Sequence, residues 1–537
     1  MPLTTLLHTL LLLLGVLCAV AVAARRLNTA PSILMVVAGI GLALSPAVPA
    51  FSIAPDLVLL GVLPPLIYTA GFAMSWREFR YNLRPITLLA IGCVVFTTCA
   101  VAAAAHWLLA MPLAAAFVLG AIVAPPDVVA PLAIARRLGL PRRILVILEG
   151  EGLANDATAL ILYRFAVVAV SSGAFSVGHA VATFAVIIAG EIVFGIAIGW
   201  ASLRLRRWVR DPRVEMTLSL MTPYVAFWIP HHLGGSGVLA TVATGLFISW
   251  HGPLLIPAAT RLQGVFFWDL VIYLLEGFLF LSTGLQARML LESVHGYSMA
   301  DLIIGVVLVT LVVTIARFVW VFPATYLPRW LSPSLARRDP APPWQRPFTI
   351  AFIGVRGAVS LAAALALPLT TATGLAFPDR EVILIITFGV IVLTLIGQGV
   401  LLPLVVRWLG LPRDSAAERR RERQDEQTAR AEVFEQADAR LRGFAADARI
   451  SVEAMAILHA HHRYRVGQSP QPEQEALDPA RAASQARLEL IAAERQHIHT
   501  LLRSGRITDE ARRRMERELD LEEAAWAAHA YDQLDSA

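Results

Sequence analysis

The 537-residue sequence contains no lysine; all 45 basic residues are arginine, a usage that fits a G+C-rich bacterial genome. Charge is scarce, at 16% of residues against about 25% in an average soluble protein. Only three cysteines are present. Cys18, Cys93 and Cys99 lie in apolar runs without metal-ligand spacing, which argues against a disulfide framework or a cysteine metal site. No HExxH motif occurs. What remains is 57% hydrophobic, with a mean hydropathy of +0.64. A soluble domain this apolar could not cover its surface. A disordered chain or a nucleic-acid binder is excluded for most of the length.

A helix needs about 20 mostly apolar residues to cross a hydrocarbon core of roughly 30 Å. Thirteen apolar runs are present, at 5–23, 31–48, 56–74, 86–109, 112–135, 144–171, 178–203, 215–232, 236–250, 265–285, 301–327, 347–373 and 381–406. They predict an all-α polytopic membrane protein of about 13 transmembrane helices. Alternate connections, beginning after the first run, hold 19 arginines; the remaining connections hold two, Arg288 and Arg380. By the positive-inside rule the N-terminus is outside and the C-terminal tail cytoplasmic. The first run lacks a basic segment before it, so it reads as a retained helix rather than a signal peptide.

The sequence changes character near residue 411. Residues 1–414 hold 26 Arg and 17 acidic residues (+9), whereas residues 415–537 hold 19 Arg and 23 acidic residues (−4). Two domains are predicted: a transmembrane domain, 1–410, and a cytoplasmic helical tail, 411–537. Mixed charge in good helix formers predicts helices at 418–442 and 511–528, with a break over Gly467–Pro472. The tail reads as a solvated appendage, or as a regulatory or dimer-supporting element. His459, His461 and His462 are a candidate pH-sensing group.

Ionisable groups inside a bilayer are costly and mark a pathway or a paired structure. The apolar runs carry Asp127, Glu149, Glu151, Asp156, Arg164, Glu191, Glu276, Arg317 and Arg356. In the fifth run, AIVAPPDVVAPLAIA, Pro125, Pro126 and Pro131 remove backbone donors beside Asp127. The freed carbonyls near Pro125 can coordinate a cation. In the sixth run Asp156 falls about 18 Å inside a helix that starts near 144, close to the midplane. Glu151 and Asn155 share one face, and Asp156 lies on another. Glu149 lies on the Asp156 stripe, as a possible entry group. In the twelfth run Gly354 and Gly357 flank Arg356, which predicts a second interruption whose positive charge offsets negative charge near the first. Interruptions in matching positions of two halves predict inverted repeats with two broken, crossing helices. A packing role is expected for Glu191 as readily as an ion-path role, and a satisfied or snorkelling side chain for Arg164.

The segments LPPLIYTAGF (63–72), APPDVVA (124–130), LEGEGLANDATAL (148–160), EGFLFLSTGLQ (276–286), IAR (315–317) and GVRGAVS (354–360) occur in an order that resembles bacterial sodium/proton antiporters of the monovalent cation:proton antiporter-1 family. The resemblance covers about residues 1–410. It implies that Asp156 is the carboxylate that binds either cation or proton, with Asn155 before it as in electroneutral members. It implies that Asp127 is the acidic residue of the first broken helix, Arg356 the arginine of the second, and Glu151–Arg317 a structural ion pair. Glu276 and Gly284 match a further motif. A monovalent cation would then lie at Asp156 and Asp127, with the Pro126 carbonyl as an added ligand. Three departures bear on ion preference. The usual Thr-Asp-Pro is Pro126-Asp127-Val128, a frequent Ser is Gly152, and an acidic position is occupied by Thr69 and Ala70.

The function expected is exchange of Na⁺, or Li⁺, for H⁺ across the bacterial plasma membrane, one for one, in pH and sodium homeostasis. A homodimer in membrane lipid is implied; no cofactor, catalytic residue or nucleic-acid partner is. The alternatives are a K⁺ or mixed-cation antiporter of the same family and, more remotely, a cation channel. An intramembrane hydrolase using His231, His232 and Ser236 has no triad spacing behind it.

Overall fold

A computed structural model describes residues 3–27, 29–45, 54–172, 177–209, 211–252, 255–256, 258–292, 298–371 and 374–445, with 455–456, 458, 460, 487, 490–498, 500–501, 504, 515–516 and 518–523 in the tail. His459, His461 and His462, and the stretch Gly467–Pro472, lie outside the described residues. The chain divides into two compact units, Met1–Ala416 and Ala417–Ala537.

Regular structure in the first unit is helical, apart from an isolated bridge between Thr370 and Ala376. In order, α1 spans Leu3–Leu27 and α2 Pro31–Leu44. A π-helical turn at Leu57–Val62 leads into α3 (Leu63–Ala73), which α4 (Trp76–Tyr81) follows. Then α5 (Leu83–Thr87), a second π-helical stretch (Leu88–Cys93) and α6 (Val94–Leu108) form one rod. After these come α7 (Leu113–Val123), α8 (Val129–Arg137), α9 (Arg142–Ser172), α10 (Val177–Arg206), α11 (Pro212–His232) and α12 (Val238–His251). They are followed by α13 (Ala258–Leu285), α14 (Ala287–Glu292), α15 (Met299–Leu331) and α16 (Pro333–Arg338). Last come α17 (Gln345–Phe352), α18 (Ala358–Leu365) and α19 (Arg380–Trp408); α20 (Leu411–Ala445) begins in this unit and belongs mostly to the second. Among the described residues, six rods are long and apolar enough to cross a membrane, by length and composition.

Local chemistry sets several boundaries. Pro212 occupies the first turn of α11, where its missing N–H costs nothing, and Asp211 accepts the Arg213 N–H at 2.8 Å. Ser298 caps α15 in the same way through the Ala300 N–H. The innermost helix is α7, with Ala115, Ala116, Val118 and Leu119 fully buried. By contrast, α10 exposes Val181, Val186, Val193 and Trp200, as a lipid-facing helix does. Helices α2 and α13 meet at glycine. A Cβ on Gly284 would lie 2.3 Å from the Val36 carbonyl oxygen, and one on Gly39 equally close to that of Leu281. The backbones touch there, which gives Gly284 a packing role.

Charge pairs tie the rods at three levels. Inside the bundle, fully buried Glu151 of α9 receives a bidentate pair from Arg317 of α15, at 2.5 and 2.7 Å. Arg317 Nε also donates to the Ile350 carbonyl of α17. At the arginine-rich end, Asp339 meets Arg84 of α5 (3.0 Å), Arg143 of α9 (2.8 Å) and Arg329 of α15 (2.7 Å). At the opposite end, buried Glu191 of α10 accepts the N–H groups of Ser236, Gly237 and Leu239 and the Ser236 hydroxyl, and so caps the start of α12. Beside it, Arg164 donates to the Gly235 carbonyl (2.7 Å) and contacts His231 Nδ1 (3.0 Å). Arg164 is therefore bonded, Glu191 is structural, and Ser236 is buried against a carboxylate rather than poised beside a histidine.

Within the second unit, Ile491, Ile498 and Leu519 form a small buried cluster with Met515 against it. Arg487 pairs with Glu494 and Glu522, and Arg495 with Asp520 and Glu523.

Two predictions follow from the buried charges. Glu151→Gln and Arg317→Ala each strand a buried charge, and each is expected to cost about 3–5 kcal/mol of stability. A clear fall in melting temperature of the purified protein checks this; an unchanged melt refutes it. Desolvation alone would raise the Asp339 pKa. The hydrogen bond and charge of Arg143 and the charges of Arg329 and Arg84 outweigh it and hold the carboxyl below its ordinary range. The folded pKa thus lies below the unfolded value of about 3.9, so the stabilisation is full above that pH and is lost as pH falls through the folded value. The melting-temperature gap between wild type and Asp339→Asn should be widest near neutrality and close on strong acidification.

Candidate functional site

Pro125 and Pro126 carry no N–H, so the helical ladder of α7 ends at Val123 and resumes in α8 at Val129. A second gap, from Ile353 to Gly357, separates α17 from α18. The two non-helical stretches meet. The Asp127 N–H donates to the Val355 carbonyl at 2.7 Å. Arg356, 2% exposed, donates from Nε to the Val123 carbonyl (2.8 Å) and from Nη2 to that of Ala124 (3.2 Å), and also bonds the Gly354 carbonyl. These are the unpaired acceptors at the C-terminal end of α7, where a cation also opposes the helix dipole. Among the described residues Arg356 has no carboxylate partner. The negative charge it meets is that of carbonyl dipoles.

From α19, the Thr394 hydroxyl accepts the Arg356 N–H (3.0 Å) and Gln398 accepts the Gly354 N–H (3.2 Å). Neither residue was singled out from the sequence. The available signal was a Thr and a Gln within an otherwise apolar run.

Asp127 is half-buried. Its Oδ1 accepts the Val129 N–H at 2.9 Å, at the first turn of α8. Its Oδ2 lies against Gly357, where an added Cβ would come within 2.0 Å. Asn155 spans the gap from α9. Its Nδ2 donates to the Pro126 carbonyl (2.7 Å), and its Oδ1 accepts the Asp156 N–H (2.7 Å). Asn155 is thus a strut between α9 and the first gap, and the Pro126 carbonyl already has one donor. Half-buried Asp156 interacts electrostatically with Asp127, as does half-buried Glu276 of α13. No protein donor bonds the carboxylates of Asp156 or Glu276 among the described residues.

Other candidates lie apart from this cluster. Glu149 pairs with Arg136 at 2.7 Å. The Thr69 hydroxyl turns back to the carbonyls of Pro65 and Leu66 on its own helix. Glu151 is saturated by Arg317. A Cβ on Gly152 would lie 2.2 Å from Val128 Cγ2, so the Val128 side chain fills the space that a residue larger than glycine would need there.

The site therefore joins two carboxylates without a bound cationic side chain, Asp127 and Asp156, to backbone carbonyls. Among the described residues no cluster of three or more His, Cys, Asp or Glu could hold a metal ion. Two carboxylates with carbonyl support suit a hard monovalent cation or a proton.

Comparison with known proteins agrees with this chemistry. The transmembrane sodium/hydrogen exchanger family profile matches residues 10–408. An uncharacterized Na⁺/H⁺ exchanger of Mycobacterium tuberculosis is 38% identical over 396 residues, 73% of this chain and 72% of that protein. A sodium, potassium, lithium and rubidium/H⁺ antiporter of Bacillus pumilus is 34% identical over 66% of this chain and 54% of its own length. The sodium proton antiporter MjNhaP1 of Methanocaldococcus jannaschii shares the fold, with a TM-score of 0.61 at 19% identity, covering 76% of this chain and 99% of its own. These neighbours are transporters rather than enzymes. The chain belongs to the sodium/hydrogen exchanger family of multi-pass membrane proteins.

Proposed function

We propose that the protein exchanges a monovalent cation, Na⁺ first, for a proton by alternating access, with Asp156 as the shared binding carboxylate and Asp127 as its partner. The observation that carries this reading is the placement of two half-buried carboxylates where two non-helical backbones meet. A carboxylate binds a proton or a cation, and one excludes the other. Occupied by either, the site loses net charge and can cross the barrier. Empty, it carries buried charge and stays put. With one exchangeable carboxylate the stoichiometry is one for one, hence electroneutral.

In this reading Asn155 fixes the height of Asp156 against the first gap, and Arg356 neutralises the carbonyl end of α7. Glu151–Arg317 supports the site without binding the ion. Glu276 is a supporting carboxylate, Glu149 an entry group held by Arg136, and Thr69 a neutral residue beside the path. About thirteen helices cross the membrane, in two inverted halves whose broken helices are α7–α8 and α17–α18. The alternating arginine pattern supports an external N-terminus and a cytoplasmic tail in a bacterial inner membrane, and the family supports a homodimer with a part in pH homeostasis. A potassium or mixed-cation exchanger is the second reading, favoured by the breadth of cations in the name of the Bacillus relative.

In proteoliposomes carrying an internal pH dye, added Na⁺, Li⁺ or K⁺ should dissipate an imposed pH gradient equally with and without a clamped voltage. The order of ions names the substrate; flux that follows voltage alone favours a channel. Asp156→Asn should abolish the response with the melting temperature unchanged, and retained exchange removes Asp156 from the role. Gly357→Ala pushes on Asp127. It should raise the half-saturating cation concentration about tenfold, equivalent to about 1.4 kcal/mol.

A further inference from the structure

An open cleft lies at the arginine-rich end of the bundle, away from the Asp127–Asp156 site. Arg84, Arg143, Arg329 and Arg346 line its mouth. Asp339 pairs with Arg84, Arg143 and Arg329. Arg84, Arg143 and Arg329 against this one carboxylate leave a formal balance of +2. The nearby pairs Arg142–Glu78 and Arg136–Glu149 are each neutral and add nothing to it. Arg329 is fully engaged, by the carbonyls of Thr325 and Asp339 and by the Asp339 carboxylate. Arg84 is not. Its Nη2 bonds Asp339, but its Nη1 is buried with no hydrogen-bond partner. A buried guanidinium N–H with nothing to donate to is costly, and calls for an acceptor in the cleft.

The depth of the cleft indicates what carries that acceptor. Arg84 and Arg143 each sit one residue inside the start of an apolar rod, and Arg329 lies near the end of a third. Below them the walls are apolar. Leu88 and Leu89 follow Arg84 by four and five residues, and Ile147 follows Arg143 by four. Val321 precedes Arg329 by eight. At about 1.5 Å per residue the apolar walls run some 6–12 Å inward from the guanidinium layer. The layer stands on the side that the positive-inside rule assigns to the cytoplasm, where acidic lipids attract clustered arginine. A small inorganic anion would use the mouth and leave the walls empty. An amphiphile with an anionic head and an alkyl chain fills both.

We propose that this cleft is a binding site for an acidic phospholipid, with the phosphate accepting from Arg84 Nη1 and an acyl chain lying along Leu88, Leu89, Val321 and Ala324. Arg143 and Arg329 supply the surrounding positive field, and Arg84, whose Nη2 is held by Asp339, supplies the open donor through Nη1. The same cleft is lined by residues of α9, which carries Asp156, and of α17, which leads into the second gap. A lipid seated there bridges both elements.

The test uses the full chain purified in detergent, with phosphatidylglycerol, phosphatidylcholine or inorganic phosphate added in turn. Phosphatidylglycerol should raise the melting temperature and be retained as one lipid per chain in native mass spectrometry; the other two should do neither. Arg84→Gln should lose both effects. Because Arg84 also holds Asp339, a second variant leaves every arginine in place: Ala324→Phe fills the apolar wall and should also lose both effects. The proposal fails if phosphatidylcholine protects as well as phosphatidylglycerol, or if both variants keep lipid retention and the melting shift. An equal shift with inorganic phosphate overturns it in favour of a free-anion site.

Discussion

Backbone polar groups inside hydrocarbon must find partners within the protein, and the rest of this bundle is arranged around the place where that requirement is hardest to meet. Two helical ladders stop inside the same region, after Val123 and after Phe352. Each stop leaves carbonyls and N–H groups without helical partners. They are satisfied by one another and by polar side chains brought from three directions. Val355 takes the Asp127 N–H, Arg356 takes the carbonyls of Val123 and Ala124, and Asn155 takes that of Pro126. Thr394 and Gln398 take the N–H groups of the second gap. With these paired, Asp127 keeps one N–H donor and Asp156 none among the described residues.

Two other buried acids are committed to donors within the protein. Glu151 lies five residues from Asp156 on the same helix, yet its two oxygens are committed to Arg317. Glu191 is committed to the start of α12. Each acid is disposed of locally, with geometry good enough to offset part of its desolvation. Asp127 is held by a single N–H at one oxygen, and Asp156 by none among the described residues. These acids differ in the number of donors that point at them.

Two of the departures from the family pattern are physically one. Val128 follows Asp127 where the resemblance noted in the sequence leads one to expect proline, and Gly152 follows Glu151 where it leads one to expect serine. The Val128 methyl group occupies the volume that a Cβ at 152 would enter. An oxygen is exchanged for an aliphatic contact between α9 and the first gap.

The all-helical class and the membrane character follow from the sequence alone, because apolar run length, arginine scarcity inside those runs and the lack of other charge leave no soluble alternative. The Glu-Gly-x-x-Asn-Asp and Gly-Val-Arg-Gly segments also named in advance the residues that the fold gathers. Tertiary structure decided what each acid meets. Helical period already put Asp156 on a different face from Glu151, and the resemblance paired Glu151 with Arg317; the fold brings Arg317 to Glu151, adds Arg136 beside Glu149, and leaves Asp156 with no donor among the described residues. The fold likewise turned Asn155 into a strut, Thr69 back onto its own helix, and Arg356 toward carbonyls instead of Asp127. The cleft beneath Arg84 is of the same kind. Its four arginines are spread from residue 84 to residue 346, and no periodicity along the chain brings them to one mouth. Helical period reports a residue's own face, whereas the partner that neutralises a buried charge arrives from elsewhere in the chain.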